Sequence, residues 1–197
     1  MKKFLMLVVV LAFATLASTA QNYNELIKAN PAMAGANMMN YHFQIQDYTP
    51  APKGYEPFYI SHYGRHGSRY DSNDVNAKKV WPIMIKAEES GLLTEAGRAF
   101  WKDLKAVLEE QDDMYGMLTS LGAREHRGIA ERMVRNFPEI FKRRTERSDV
   151  HCQSSTSPRC IVSMTNFTHS LERNTGRMNF SYVTGDRYMN HLAYRPK

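Results

Sequence analysis

Hydrophobic positions along the chain fall into three kinds of run, and each predicts a different element. The first is a fourteen-residue, mostly apolar block from Phe4 to Ala17, preceded by Lys2 and Lys3 and closing on Ser18-Thr19-Ala20. It is shorter than the roughly 20 residues that a bilayer span needs, and small residues at Ser18 and Ala20 suit a signal peptidase cutting before Gln21. Residues 1–20 therefore read as a cleavable signal peptide. The second kind is short and β-prone: Phe58-Tyr59-Ile60-Ser61-His62-Tyr63, ending at Gly64, predicts a buried strand that feeds a loop, and Asp149 to Ser154 predicts another. The third has helical period. Thr94 is placed to cap a helix reaching about Glu110, with Phe100, Leu104, Val107 and Leu108 on one face. Thr119 is placed to cap a second, in which Ile129, Met133 and Phe137 recur every four residues before Pro138. Gly128 weakens that helix by about 1 kcal/mol without overturning it. Ser157 at the cap and Pro158 at the first helical position open a third. It reaches about Arg173, with Cys160, Ile161, Met164, Phe167 and Leu171 as its stripe and Asn174 and Gly176 at its end.

The segment from Asn30 to Pro57 lacks periodicity. Pro31, Pro50, Pro52 and Pro57 punctuate turns there, and the Met-rich stretch Met33 to Met39 suits packing better than chemistry. Residues 21–57 are accordingly expected to form an amino-terminal leader, and 58–197 one α/β domain. Strand, loop, helices, strand and helix in that order predict a mainly parallel sheet flanked by helices. A length of 197 residues allows one domain, or one with a small insertion.

Composition narrows little: 43% hydrophobic and 23% charged residues describe an ordinary globular chain and exclude a fibre or a disordered tail. Charge changes the picture only locally. Removing Lys2 and Lys3 takes 26 basic residues to 24 against 20 acidic ones, about +4 for the mature chain. The excess is gathered in Arg124, Arg127, Arg132, Arg135, Lys142, Arg143, Arg144 and Arg147. Interleaved glutamates make a solvated helix face the plainest reading; a field that draws in anions and a nucleic-acid patch are the alternatives, and export disfavours the last. Cys152 and Cys160 could pair in an oxidising compartment, but sequence does not supply the geometry.

The chemistry lies in the loop after the first predicted strand, Arg65-His66-Gly67-Ser68-Arg69. A neutral imidazole can attack phosphorus and carry the phosphoryl group covalently. Arginines at Arg65 and Arg69 offer planar, permanently charged forks to the oxygens over which the transition state spreads its charge. Gly64 and Gly67 permit tight turns, and ligands of open α/β sheets sit beyond the carboxyl ends of strands. From average residue usage, R-H-G-x-R occurs by chance in a chain of this length on the order of once in a thousand, which sets aside a merely solvated loop. A two-histidine metal site from His62 and His66 lacks a third ligand of sensible spacing.

Residues 65–69 resemble the signature of the histidine acid phosphatases, the branch of the phosphoglycerate-mutase-like superfamily that includes phytases. Two more stretches share the resemblance. Leu118-Thr119-Ser120-Leu121-Gly122-Ala123-Arg124-Glu125-His126 is similar to the family's LT-x-x-G helix start, and Ser154 to Cys160 to the segment that supplies a third phosphate-binding arginine. The wording of Ser155 to Met164 is similar to the multiple inositol polyphosphate phosphatases. The resemblance implies a phosphoglycerate-mutase-like α/β fold with part of a helical cap. It also implies His66 as nucleophile, and Arg65, Arg69 and Arg159 as phosphate ligands. The helix start behind Pro158, where unsatisfied N–H groups and the helix dipole favour an anion, supports that assignment of Arg159, which taken alone reads as an exposed first-turn arginine. The expected activity is that of an exported, periplasmic or secreted phosphomonoester hydrolase acting on inositol polyphosphates, with no cofactor and no metal. Its partner would be a small anionic phosphorylated substrate; no nucleic acid and no stable membrane insertion after cleavage are expected, and the oligomeric state is left open.

The sequence departs from the family pattern in two places. Asp71 stands where the family usually has proline. Neither the His-Asp nor the His-Ala-Glu motif, whose acid protonates the leaving oxygen, occurs in the 197 residues. General acid catalysis is typically worth about 10²- to 10⁴-fold, so a member that binds phosphate or other anions without turnover is the alternative. Asp71 and Asp74 read as turn or cap residues rather than substitute acids. A mutase is disfavoured, because that branch usually has an acid where this loop has Arg69.

Overall fold

The computed structural model describes residues 23–41, 49–142, 149–176 and 178–192. The signal peptide expected over 1–20 lies outside them, as do Arg143, Arg144 and Arg147 of the basic stretch. The described residues fall into two compact units divided between Met39 and Asn40. In the first, helix α1 (Tyr23–Ala29) is followed by a 3-10 helix, Pro31–Met38. The Asn30 side chain bridges the two by accepting from the Ala32 amide at 3.2 Å. Contrary to the packing expected of the Met-rich stretch, Met33 and Met38 are exposed, because a helix this short has nothing of its own to bury them against.

The second unit begins its regular structure with α2 (Val75–Glu89), which the hydrophobic pattern does not predict because Pro82 interrupts it. Gly91, at φ 68°, turns the chain in the left-handed region that glycine adopts without strain. Thr94 then caps α3 (Glu95–Gln111) by accepting from the Gly97 amide at 3.1 Å. The buried face of α3 is one residue away from the predicted one. Trp101 and Gln111 are buried, with Leu104 and Leu108 half-buried between them, whereas Phe100 and Val107 point outward. Trp101 takes the face because its ring packs on Trp81 at 4.6 Å and its Nε1 donates to Glu88 at 2.6 Å.

Thr119 caps α4 (Ser120–Asn136), accepting from the Gly122 amide at 3.1 Å; a short α5 (Pro138–Lys142) follows. β1 (Asp149–Ser154) occupies the predicted residues, and α6 (Pro158–Thr175) opens at Ser157 and Pro158 and ends against Gly176 as predicted. The Ser157 side chain makes no capping bond, so the entry rests on the proline's fixed φ. β2 (Asn179–Thr184) pairs parallel with β1, from Asp149↔Asn179 to Ser154↔Thr184, completing a β-α-β crossover around α6. A 3-10 turn (Asp186–Tyr188) and α7 (Met189–Leu192) follow. The observed sheet is parallel and its helices pack beside it, in keeping with the expected α/β class. Among the described residues no helix is long and apolar enough to cross a membrane.

The core is small: Ala130, Leu171 and Met178, surrounded by Val134, Phe141, Val150, Phe167 and Phe180. It joins α4, α6 and both strands. The α4–α6 seam departs from the predicted stripes. α4 buries Gly122, Glu125, His126 and Ala130 rather than Ile129 and Met133, and α6 buries Ser163, Thr168 and Ser170 beside Leu171. Small side chains let the helices approach, and hydrogen bonds cross between them. Ser170 Oγ donates to the Arg127 carbonyl at 3.0 Å, and Arg127 Nη1 to Asn166 Oδ1 at 2.6 Å. Cys152 and Cys160, placed as expected on a strand and in a first helical turn, are both free thiols.

The strand expected over Phe58 to Tyr63 is not formed. The segment joins no ladder, and Phe58, Tyr59 and Tyr63 are 85%, 73% and 73% exposed. Aromatic β-propensity expresses itself only where a neighbouring strand and a packed face are present, and the segment pairs with neither β1 nor β2. The segment is tethered by side chains instead. His62 stacks on Phe167 at 5.1 Å, and Tyr63 Oη donates to the Leu192 carbonyl at 3.3 Å.

Candidate active site

The loop from Arg65 to Tyr70 is fastened to the start of α4 along its whole length. Arg69 and Leu118 form an isolated antiparallel bridge, and the Tyr70 amide donates to the Met117 carbonyl at 3.0 Å. The Ser68 carbonyl accepts from both the Thr119 amide at 2.9 Å and the Thr119 hydroxyl at 2.8 Å. Thr119 thus caps the helix and holds the loop at once. Gly67 and Gly122 make that approach possible. A Cβ on Gly67 would lie 2.6 Å from Gly122 Cα, and one on Gly122 would lie 2.7 Å from the Ser68 amide nitrogen. From the other side Ser163 of α6 accepts the Gly67 amide at 3.1 Å.

Glu125, expected among the interleaved glutamates of a solvated helix face, is instead 0% exposed and the largest fully buried side chain among the described residues. Its Oε2 accepts from the Ser68 amide at 2.6 Å. Its Oε1 accepts from the Ser68 hydroxyl at 2.9 Å and from the Tyr41 amide at 3.1 Å. The Arg65 carbonyl accepts two further donors, Tyr41 Oη at 2.6 Å and His126 Nε2 at 3.1 Å. The Tyr41 ring faces the Arg65 guanidinium at 5.3 Å. A period of one helical turn linking Gly122, His126 and Ala130 was the available signal for this face, masked because its residues are small or polar.

His66 is half-buried at the centre of this frame. Its Nδ1 lies 2.7 Å from the Gly67 carbonyl, which can only accept, so Nδ1 carries the proton and Nε2 of the neutral ring keeps its lone pair. Burial lowers the His66 pKa, the Gly67 bond opposes that shift, and the charges of Arg159, Arg69 and Arg65 add to the lowering in that order. The three arginines singled out in the sequence therefore all lie near enough to the His66 ring for their charges to act on it. Arg159 Nη1 reaches the Gly116 carbonyl at 3.4 Å, while its Nε is buried with no hydrogen-bond partner. Arg69 Nη1 donates to the Tyr70 carbonyl at 2.7 Å. Such an array can hold a tetrahedral oxyanion against a neutral nitrogen nucleophile.

Asp74 stands at the start of α2 and pairs with Lys78 at 2.8 Å. Asp71 is exposed, and its main chain is held by Gln111 and Gly116. His62 packs on Phe167. Among the described residues no group of three or more His, Cys, Asp or Glu side chains could hold a metal ion.

No family model and no curated protein matches the chain. Solved structures do. A multiple inositol polyphosphate phosphatase of Bifidobacterium longum, in complex with inositol hexasulfate, superposes with a TM-score of 0.57 at 30% identity, over 68% of this chain and 28% of that one. The same enzyme in complex with phosphate gives 0.55 at 29% identity, over 66% and 26%. By fold and sequence the chain resembles a histidine acid phosphatase. The likeness is to the multiple inositol polyphosphate phosphatases within that family, as the wording of residues 155–164 implies, and the chain spans little more than a quarter of the phosphatase it matches.

Proposed function

We propose that the chain acts as an exported phosphomonoester hydrolase of inositol polyphosphates and works through a phosphohistidine at His66. The observation that carries the reading is the neutral His66 with its Nδ1 proton committed to the Gly67 carbonyl and three arginines acting on it. In the first step Nε2 attacks phosphorus, the bond from phosphorus to the inositol oxygen breaks, and that oxygen takes a proton from solvent, which the attacking water of the second step returns. In the second, water attacks phosphorus, the P–N bond breaks, and inorganic phosphate leaves with His66 neutral again. Arg65, Arg69 and Arg159 hold the three non-bridging oxygens throughout; the orphaned Nε of Arg159 supplies a donor with no competing internal partner. Likeness to a phosphatase solved with phosphate and with inositol hexasulfate supports the substrate class.

One observation favours a second reading, uptake of anions without turnover. Glu125, the carboxylate bonded to the loop, already serves three donors and is committed to the loop rather than to a leaving oxygen. Incubating the protein with phytate, measuring released phosphate and trapping phosphohistidine by mass spectrometry, separates the two. Release that His66→Ala abolishes is the expected result. Equal release from both proteins sinks the phosphohistidine mechanism, and binding with neither release nor adduct leaves the anion-binding reading.

A further inference from the structure

Glu125 is a fully buried carboxylate whose partners are all uncharged donors: the Ser68 amide, the Ser68 hydroxyl and the Tyr41 amide. Burying a carboxyl group among neutral donors is expensive, and a simple fastening of loop to helix is already provided by Thr119 and the glycine contact. What the carboxylate adds is geometric. Both of its oxygens only accept, so it matches a site where donors converge from two directions, and no amide can replace it without turning an N–H toward an N–H. One arm reaches Ser68, which lies between His66 and Arg69. The other reaches Tyr41, which donates to the Arg65 carbonyl and sets its ring against the Arg65 guanidinium.

We propose that Glu125 is the positioning residue of the phosphate loop, fixing His66 and Arg69 through Ser68, and Arg65 through Tyr41. The inference rests on reading His66 and its arginines as the phosphate site, and it adds a residue that touches neither substrate nor phosphorus. Loss of the carboxylate leaves the Ser68 carbonyl held by Thr119 but the Ser68 amide and hydroxyl and the Tyr41 amide without their acceptor, so the orientation of the loop is no longer fixed, and a displacement of about 1 Å in reacting groups costs on the order of 100-fold in rate.

The test uses Glu125→Gln, Glu125→Asp and Ser68→Ala in the whole chain, each checked for fold by circular dichroism. Two properties are read: the NMR titration of the His66 ring, and the affinity for inorganic phosphate by calorimetry. Where the parent protein releases phosphate from phytate, kcat and KM are read as well. Glu125→Gln is expected to move the His66 titration up toward the ordinary imidazole value, weaken phosphate binding and lower kcat about 100-fold. Glu125→Asp, which keeps the charge, should recover part of each change. Ser68→Ala removes one of the three bonds and should give the same changes at up to about tenfold. A folded Glu125→Gln protein with the parent's His66 titration and phosphate affinity overturns the proposal. If Glu125→Gln does not fold, Ser68→Ala decides by the same two readouts. A parent protein that releases no phosphate refutes the hydrolase reading, while the His66 titration still decides the role of Glu125.

Discussion

At the scale of single residues, charge and burial act on His66 in the same direction. Both disfavour the imidazolium, so the ring stays neutral to a lower pH than a free histidine does. Nucleophilic attack needs the neutral ring, and the acid limb of phosphohistidine formation is therefore expected below the ordinary value of 6.5. A pH-rate profile of adduct formation checks this; an acid limb at or above 6.5 contradicts it. Arg159 carries a separate expectation. Replacing it by alanine removes a charge and the donor without an internal partner, and phosphate affinity should fall about ten- to hundredfold, the worth of one charge-assisted hydrogen bond. Arg159→Lys keeps the charge but loses the fork, so calorimetry with phosphate should place it between the two. Arg65, His66 and Arg69 were legible as candidates from the loop signature, and Arg159 only through the family resemblance, since alone it reads as an exposed first-turn arginine. Glu125 and His126 were not. They lie on a buried face made of Gly122, Ala130 and polar groups, and a search for apolar periodicity passes over such a face.

Elements show the same division between what local chemistry states and what tertiary packing decides. Thr94, Thr119, Pro158 and Gly176 mark helix boundaries, and the structure places the boundaries there, since capping is settled within one turn of the chain. Which face a helix buries is settled by its neighbours. α3 turns inward on Trp101 because Trp81 and Glu88 of α2 receive that ring. The predicted strand over Phe58 to Tyr63 fails for the converse reason: nothing pairs with it. Thr119 gives the sharpest prediction at this scale. Thr119→Ala deletes the cap of α4 and one of the two donors to the Ser68 carbonyl, and should destabilise by about 1–2 kcal/mol in denaturant titration. Thr119→Ser, which keeps the hydroxyl, should lose far less.

Across the whole molecule, stability should respond to acid in a defined direction. His62, His66 and His126 all have lowered pKa values, each chiefly through burial. Below 6.5 the unfolded chain protonates these rings while the folded one does not, so the unfolded state binds more protons. Their contribution to stability is complete above 6.5 and declines as the pH falls through the folded values. Thermal melts at pH 7, 6 and 5 should show a falling Tm, and His126→Gln should flatten the slope. The exposed side chains of Tyr55, Phe58, Tyr59 and Tyr63 form a second global feature. Together with a two-stranded sheet they favour self-association. Light scattering should detect concentration-dependent association that Phe58→Ser with Tyr59→Ser reduces; an unchanged profile counts against it.

The contact between Gly67 and Gly122 joins the reactive loop to its helix through main chain alone. Where two side chains meet, a larger residue on one side can be answered by a smaller one on the other. Here neither partner has anything to give up, since each missing Cβ is matched by backbone across the contact. The two positions therefore form a joint that accepts no compensating pair. Any change at either must be absorbed by displacing the segment that carries His66.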